Sequence, residues 1–271
     1  MELNTKTINR LKTNYGGWGL ITGASSGIGK ELTYQLAKAG FKLVINARRK
    51  NILEFIATDL FDKYKTETVI VEGDLSSETA TQHLIDETAH LPIGIFILNA
   101  GYGTSGKFLD NSIESEINML DLNCKSVLIQ SHAFANRLRT NNQKGAIIML
   151  SSMVAFQGVP NASNYAATKA YVQSLGEGLS HELKSDNIDI LCACPGPVNS
   201  SFSERANMKM GKALTPDKVG MPILNSIGKR RIVLPGFLTK FLVYNLRMLP
   251  RWAKVRIMGK IMSGFTAHQT N

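Results

Sequence analysis

Short apolar runs recur along this 271-residue chain at 18–22, 43–46, 69–71, 93–98, 146–150, 188–193 and 231–234. Helix-length stretches fill the gaps, at about 30–39, 49–64, 77–90, 114–140, 163–185 and 215–227. No other feature constrains the fold as strongly, because strands alternating with helices imply βαβ units and a parallel sheet. Ile95-Phe-Ile-Leu98 and Ala146-Ile-Ile-Met-Leu150 show no polar alternation, which suits strands covered on both faces. The expected architecture is therefore α/β: a doubly wound parallel sheet of about seven strands with helices on both faces. No internal repeat or low-complexity linker divides the chain, so residues 1–271 read as a single domain. Residues 1–16 form an N-terminal extension and 237–271 a C-terminal helical one.

The first run leads into Gly23-Ala-Ser25-Ser26-Gly27-Ile28-Gly29, and a helix pattern follows up to Gly40, the expected C-cap. Strand, glycine turn and helix in that order suit a pyrophosphate. Gly23 allows the turn, Gly27 lets the backbone approach phosphates, and Gly29 lets the helix pack on the sheet. Exposed N–H groups and the helix dipole then favour an anion. Ligands of such sheets bind at the carboxyl ends of strands. Gly23, Asp74, Asn99, Ser152 and Pro195 all fall at expected strand ends, so one cleft collects them.

Tyr165 and Lys169 are four residues apart on an expected helix and share one face. At ~5 Å and an effective dielectric of ~20, the ammonium favours the phenolate by on the order of 3 kcal/mol. That is roughly two pKa units, enough to bring a phenol near 10 within reach of neutral acid/base work. Ser152 precedes this pair by thirteen residues.

In this order the motifs resemble the short-chain dehydrogenase/reductase family over roughly residues 15–235, which implies a Rossmann-type fold. Gly23, Ser25, Ser26, Gly27, Ile28 and Gly29 look like its cofactor loop. Asp74-Leu75 is similar to the pair that contacts adenine, although Asp74 could also simply cap the next helix. Asn99-Ala100-Gly101 matches the family's Asn-Ala-Gly. Asn123, Ser152, Tyr165 and Lys169 match its catalytic asparagine, serine, tyrosine and lysine, with Ser151 the alternative serine. By this resemblance Tyr165 donates the proton, Ser152 holds the oxygen, and Lys169 also binds the nicotinamide ribose. Asn123 positions the lysine through a water. Pro195-Gly196-Pro197-Val198 is similar to the segment facing the nicotinamide, and Ser200 stands where the family has a threonine. Tyr15-Gly-Gly-Trp18 and Leu249-Pro250-Arg251 look like the branch with 17β-hydroxysteroid dehydrogenases and 3-oxoacyl-CoA reductases.

Cofactor choice rests on the end of the second strand. An acid there would accept the ribose hydroxyl of NAD, but Ala47 takes that place and Arg48 and Arg49 follow. Guanidinium groups suit a 2′-phosphate, so NADP(H) is expected. By the same resemblance residues of about 199–214 form a lid, and Phe202, Met208 and Met210 in it, together with Trp252, suggest a hydrophobic carbonyl substrate. The expected activity is NADPH-dependent reduction of an acyl, sterol-like or polyketide-like compound. Two alternatives stay open: an alcohol dehydrogenase for a small polar substrate, and a non-catalytic NADP-binding interaction protein.

Charge is distributed unevenly. After Asp217 no acidic residue follows, and the ten lysines and arginines there account for the whole net charge of +10. Apolar residues interleave them and Pro250 divides the segment into two expected helices. Such a segment either contacts an anionic membrane surface peripherally or closes the substrate cleft. No recognition motif accompanies the charge, so nucleic acid is not an expected partner. Three cysteines are too few for a disulfide framework, and five histidines show no metal-ligand spacing. Residues 1–15 lack an apolar signal region, so the cytoplasm is the expected compartment. Ala166, Ala167 and Ala170 permit close helix approach, either in a homodimer or homotetramer or against the protein's own sheet.

Overall fold

Every apolar run becomes a strand. The computed structural model describes residues 2–211 and 213–269. Met1, Lys212, Thr270 and Asn271, which the expected terminal extensions and lid include, lie outside the described residues. Among the described residues, β1 (Trp18–Thr22), β2 (Lys42–Ala47), β3 (Thr68–Glu72), β4 (Ile93–Leu98), β5 (Gly145–Leu150), β6 (Ile188–Ala193) and β7 (Ile232–Val233) form one sheet. Its order is β3-β2-β1-β4-β5-β6-β7, and every pairing is parallel. Strand order reverses beside β1, where Ile21 pairs with Ile45 on one side and Ile97 on the other. β7 is shorter than expected, as Pro235 has no N–H to extend the ladder.

Side chains alternate across the strands, so each strand feeds two cores. Ile21, Ile45 and Ile97 pack with α2 (Gly27–Lys38), α3 (Lys50–Tyr64) and α9 (Pro216–Ser226) on one face. Leu20, Val44 and Phe96 pack with α4 (Glu78–Glu87), α6 (Ser126–Thr140) and α7 (Ser163–Glu182) on the other. Both covers explain why β1, β4 and β5 are buried along their full length.

Two helical elements differ from expectation. The polar N-terminal extension forms helix α1 (Thr5–Tyr15), capped where the Asn4 side chain accepts from the Thr7 N–H at 2.8 Å. Leu11 and Tyr15 are buried, and the Tyr15 hydroxyl donates to Asp189 at 2.6 Å, so α1 belongs to the core. The expected helix 114–140 begins one residue earlier, as α5 (Ile113–Leu120), and continues through a π turn, Asp121–Lys125, into α6. The inserted residue rotates Asn123 into the interior, and such turns cluster at functional sites. Of the three alanines on α7, only Ala166 packs inward. The C-terminal segment divides as expected into α10 (Phe237–Arg247) and α11 (Arg251–Thr266), with Pro250 as the N-cap of α11.

Candidate active site

Where β1 and β4 diverge, the two strand ends are tied together. Thr22 Oγ1 accepts from the Asn99 and Ala100 N–H groups, each at 3.0 Å, and Asn99 Nδ2 donates to the Thr22 carbonyl at 2.8 Å. This holds the glycine turn rigid beside the crevice. A Cβ at Gly29 would run into the Gly23 carbonyl and the Asn99 amide, so α2 can start this close only from glycine. Ser26, the N-cap of α2, makes no side-chain cap bond, and the first-turn N–H groups are left for an anion.

A cavity of about 610 Å³ runs from this turn, past the ends of β2 to β6, to α10 and α11. It is lined by Gly23, Ser25, Ser26, Gly27, Ile28, Arg48, Arg49, Asp74, Leu75, Asn99, Ala100, Gly101, Ser152, Tyr165, Lys169, Pro195, Gly196, Val198 and Ser200. The structure thus brings together all the sequence-derived site residues but two. Gly29 and Asn123 stand behind the wall: the first seats a helix, and the second braces the backbone.

At the far end of β2, Arg48 meets Asp74 at 3.4 Å and Arg49 donates to Ser25 Oγ at 3.3 Å. Asp74 Oδ1 accepts from the Ser76 N–H at 3.1 Å and from Ser76 Oγ at 2.9 Å. Partial burial opposes ionisation, but the Ser76 bonds and the Arg48 guanidinium hold the Asp74 carboxyl below its ordinary value. Ser77 is the N-cap of α4, so the capping role considered for Asp74 falls to its neighbour. A further cation, unread in the sequence, enters from helix α8 (Ser201–Arg205). The Arg205 guanidinium lies 3.9 Å from the centroid of the Tyr102 ring, and burial followed by the proximity of Arg48 lowers its pKa. Only the lid folding back over the loop after β4 reveals it. Ser105 Oγ secures that contact by donating to the Ala206 carbonyl at 2.6 Å. Arg48, Arg49, Lys169 and Arg205 then share the cavity wall with one carboxylate, Asp74.

At the end of β5 the two serines separate in role. Ser151 Oγ donates to the Lys169 carbonyl at 2.9 Å, whereas Ser152 Oγ accepts from the Val154 N–H at 3.3 Å and shares the cavity wall with Tyr165. Helix α7 presents Tyr165 and Lys169 on one face, with Lys169 Nζ 5.9 Å from the ring centroid and donating to the Leu150 carbonyl at 2.8 Å. Asn123, wholly buried, accepts from the Tyr102 N–H at 3.2 Å and donates to the Tyr102 carbonyl at 2.8 Å and Thr168 Oγ1 at 3.0 Å. A Cβ at Gly101 would lie 2.9 Å from Asn123 Oδ1 and 3.3 Å from Lys169 Nζ, so glycine lets the three meet.

The direction expected for Tyr165 is wrong. Burial pushes the phenol up to about 12, and the nearby Ser152 hydroxyl offsets only part of this. Burial likewise pulls Lys169 down to about 8. The sequence estimate counted Coulomb attraction and left out the desolvation of two interior groups, which is the larger effect here. The lysine therefore costs stability when charged. Its folded pKa lies below its unfolded value, so the penalty is full below about pH 8 and fades as pH rises toward 10.5. Lys169→Met is expected to stabilise the fold at neutral pH. The relief is on the order of 3 kcal/mol from the shift, less about 1 kcal/mol for the lost bond to Leu150. Denaturant melts at pH 7 and pH 10 check this; an unchanged or lower stability at pH 7 contradicts it.

The opposite end of the cavity is apolar. Phe202 and Met208 from the lid meet Leu242 of α10 and Met258, Met262 and Phe265 of α11. The Phe202 and Tyr165 rings lie 5.4 Å apart. Trp252 does not join them: it is exposed on the outer surface at the start of α11.

Comparison with known proteins agrees with this geometry. The family model for short chain dehydrogenases matches residues 18–211. A very-long-chain 3-oxoacyl-CoA reductase of Candida albicans is 30% identical over 235 residues, 83% of this chain and 67% of that protein. A 7beta-hydroxysteroid dehydrogenase of Clostridium sardiniense is 26% identical over 236 residues, 84% and 89% of the two chains. Among solved structures, one that addresses 7beta-hydroxysteroid dehydrogenase stereoselectivity superposes with a TM-score of 0.83 at 26% identity, covering 92% of this chain and 98% of the other. A short-chain dehydrogenase from Sphingobium yanoikuyae in complex with NADPH gives 0.78 at 28% identity, covering 85% and 93%.

Proposed function

The chain belongs to the short-chain dehydrogenase family, and on that basis we propose that it is an NADPH-dependent reductase that converts the carbonyl of a hydrophobic substrate to an alcohol. One observation carries the reading: a single cavity joins a cationic, glycine-walled end to an apolar end, with Ser152 and Tyr165 between them. The cationic end fits NADPH. The glycine turn leaves backbone N–H groups for the pyrophosphate, and Arg48, Arg49 and Arg205 exceed what Asp74 neutralises, as a further phosphate requires. The NADPH-bound family structure supports the same choice.

Bound NADPH supplies the hydride. Tyr165, held protonated by burial, donates its proton to the carbonyl oxygen, and the Ser152 hydroxyl holds that oxygen as charge develops on it. Lys169 adds a nearby cation. Asn123 grips Thr168, whose hydroxyl donates to the Tyr165 carbonyl at 2.8 Å, and so fixes the turn of α7 that carries both groups. A phenol near 12 keeps Tyr165 in its donor form at neutral pH, the form that protonation of a carbonyl oxygen uses.

The apolar end supports an acyl, sterol-like or polyketide-like substrate, and the hydroxysteroid and very-long-chain acyl relatives point the same way. Exposed Ile117, Leu120, Leu128 and Tyr171 on α5, α6 and α7 support a homodimer or homotetramer. The basic segment 237–269, with its interleaved apolar residues, makes peripheral contact with membrane. NADPH oxidation measured across ketones of increasing chain length tests the substrate class. Each added methylene should raise kcat/KM by about fourfold until the cavity is full, from ~0.8 kcal/mol per buried group. A preference for short polar carbonyls overturns it.

A further inference from the structure

Helix α10 is buried on one side only. Thr239, Val243 and Leu246 face the interior. Phe237, Phe241, Tyr244 and Met248 recur at i, i+4, i+7 and i+11, a spacing that gathers them into one stripe on the opposite side. Phe237 is 84% exposed and Met248 87%, and Trp252 at the start of α11 is 69% exposed. Phe237 and Phe241 stack on each other with centroids 6.3 Å apart. The inner sides of the same two helices wall the apolar end of the cavity, and Leu238 both lines that cavity and is 53% exposed. A cavity mouth therefore opens beside the stripe.

Resting on the peripheral contact proposed above and deepening it, we infer that the outer face of α10, continued by Trp252, docks on an anionic lipid surface and holds the cavity mouth against it. Charge selects this occupant. Lys240, Arg247 and Arg251 border the stripe, and no acidic residue follows Asp217. A second copy of the face would bring these cations against their own counterparts, whereas anionic headgroups neutralise them. Aromatic and methionine side chains beside basic ones suit the boundary between headgroups and acyl chains. Among the described residues no helix is long and apolar enough to cross a membrane, so the contact lies along the surface.

The test uses the full chain and vesicles of phosphatidylcholine, with or without phosphatidylglycerol, read by sedimentation. The protein should pellet with the phosphatidylglycerol vesicles at low salt and much less at about 1 M salt, where the screening length is ~3 Å. A Phe237→Ser, Phe241→Ser, Met248→Ser variant should bind about tenfold or more weaker. A Lys240→Gln, Arg251→Gln variant, altered only at exposed positions, should lose about fivefold per charge. Both should retain NADPH-linked turnover of a water-soluble ketone without vesicles, which reads the reductase assignment separately. Absence of vesicle binding, or binding unchanged in both variants, overturns the inference. So does a stripe variant that still binds vesicles but falls to a smaller oligomer, because the occupant is then a second copy.

Discussion

Tyr165→Phe is expected to cut reductive turnover by about 10²–10⁴-fold, the contribution of a positioned proton donor, while dinucleotide affinity stays unchanged. The substitution removes one hydroxyl and keeps the ring packed near Phe202 at 5.4 Å, so the cavity keeps its shape. The effect should fall on kcat, since the proton moves as charge develops on the substrate oxygen. The pH dependence carries a sign. Tyr165 keeps its proton up to about 12, but Lys169 discharges near 8. Wild-type reduction should therefore hold level below about pH 8 and decline above it as the cation beside the oxygen is lost. Steady-state NADPH oxidation across this range is the measurement. Turnover retained by the variant to within about an order of magnitude would remove Tyr165 from the mechanism.

Arg48→Ala is the second large effect, and it falls on cofactor choice. A hydrogen bond to a charged group contributes about 1.5–3 kcal/mol, so NADPH should bind about 10- to 150-fold more weakly. NADH, with no 2′-phosphate, should hardly notice. The pairing with Asp74 at 3.4 Å adds a control, because Asp74→Asn removes that partner and leaves the guanidinium in place. Arg205→Ala in the same titration should show a smaller loss, as its guanidinium is already stacked on Tyr102. Titration of dinucleotide fluorescence gives all of these affinities without turnover. Equal weakening of NADPH and NADH by Arg48→Ala would falsify the phosphate assignment.

The sheet was legible because parallel strands covered on both sides need uninterrupted apolar runs, and Ile95 to Leu98 or Ala146 to Leu150 allow little else. The glycine turn was legible for the same kind of reason: Gly29 is dictated by a backbone approach that any Cβ would obstruct. Arg48 and Ala47 could be read because one strand end decides the charge near that part of the ligand. Asn123 was found by resemblance, but its setting was not, since a π turn leaves the apolar periodicity of 114–140 almost unchanged. Arg205 gave no signal either. Its value comes from Tyr102, about a hundred residues away, and from the lid that carries it there. Helix α1 looked like a polar extension, yet Tyr15 becomes an interior residue once Asp189 is beside it. Trp252 went the other way, expected at the cleft and found on the surface.

The division has a physical cause. Local features, meaning periodicity, glycine spacing and the four-residue step from Tyr165 to Lys169, are fixed by backbone geometry, and a one-dimensional string expresses them fully. Burial is a property of everything packed around a group. Only the assembled fold could decide that desolvation outweighs the lysine's attraction and keeps Tyr165 a donor, and that one face of the C-terminal helices closes the cavity while the other stays bare.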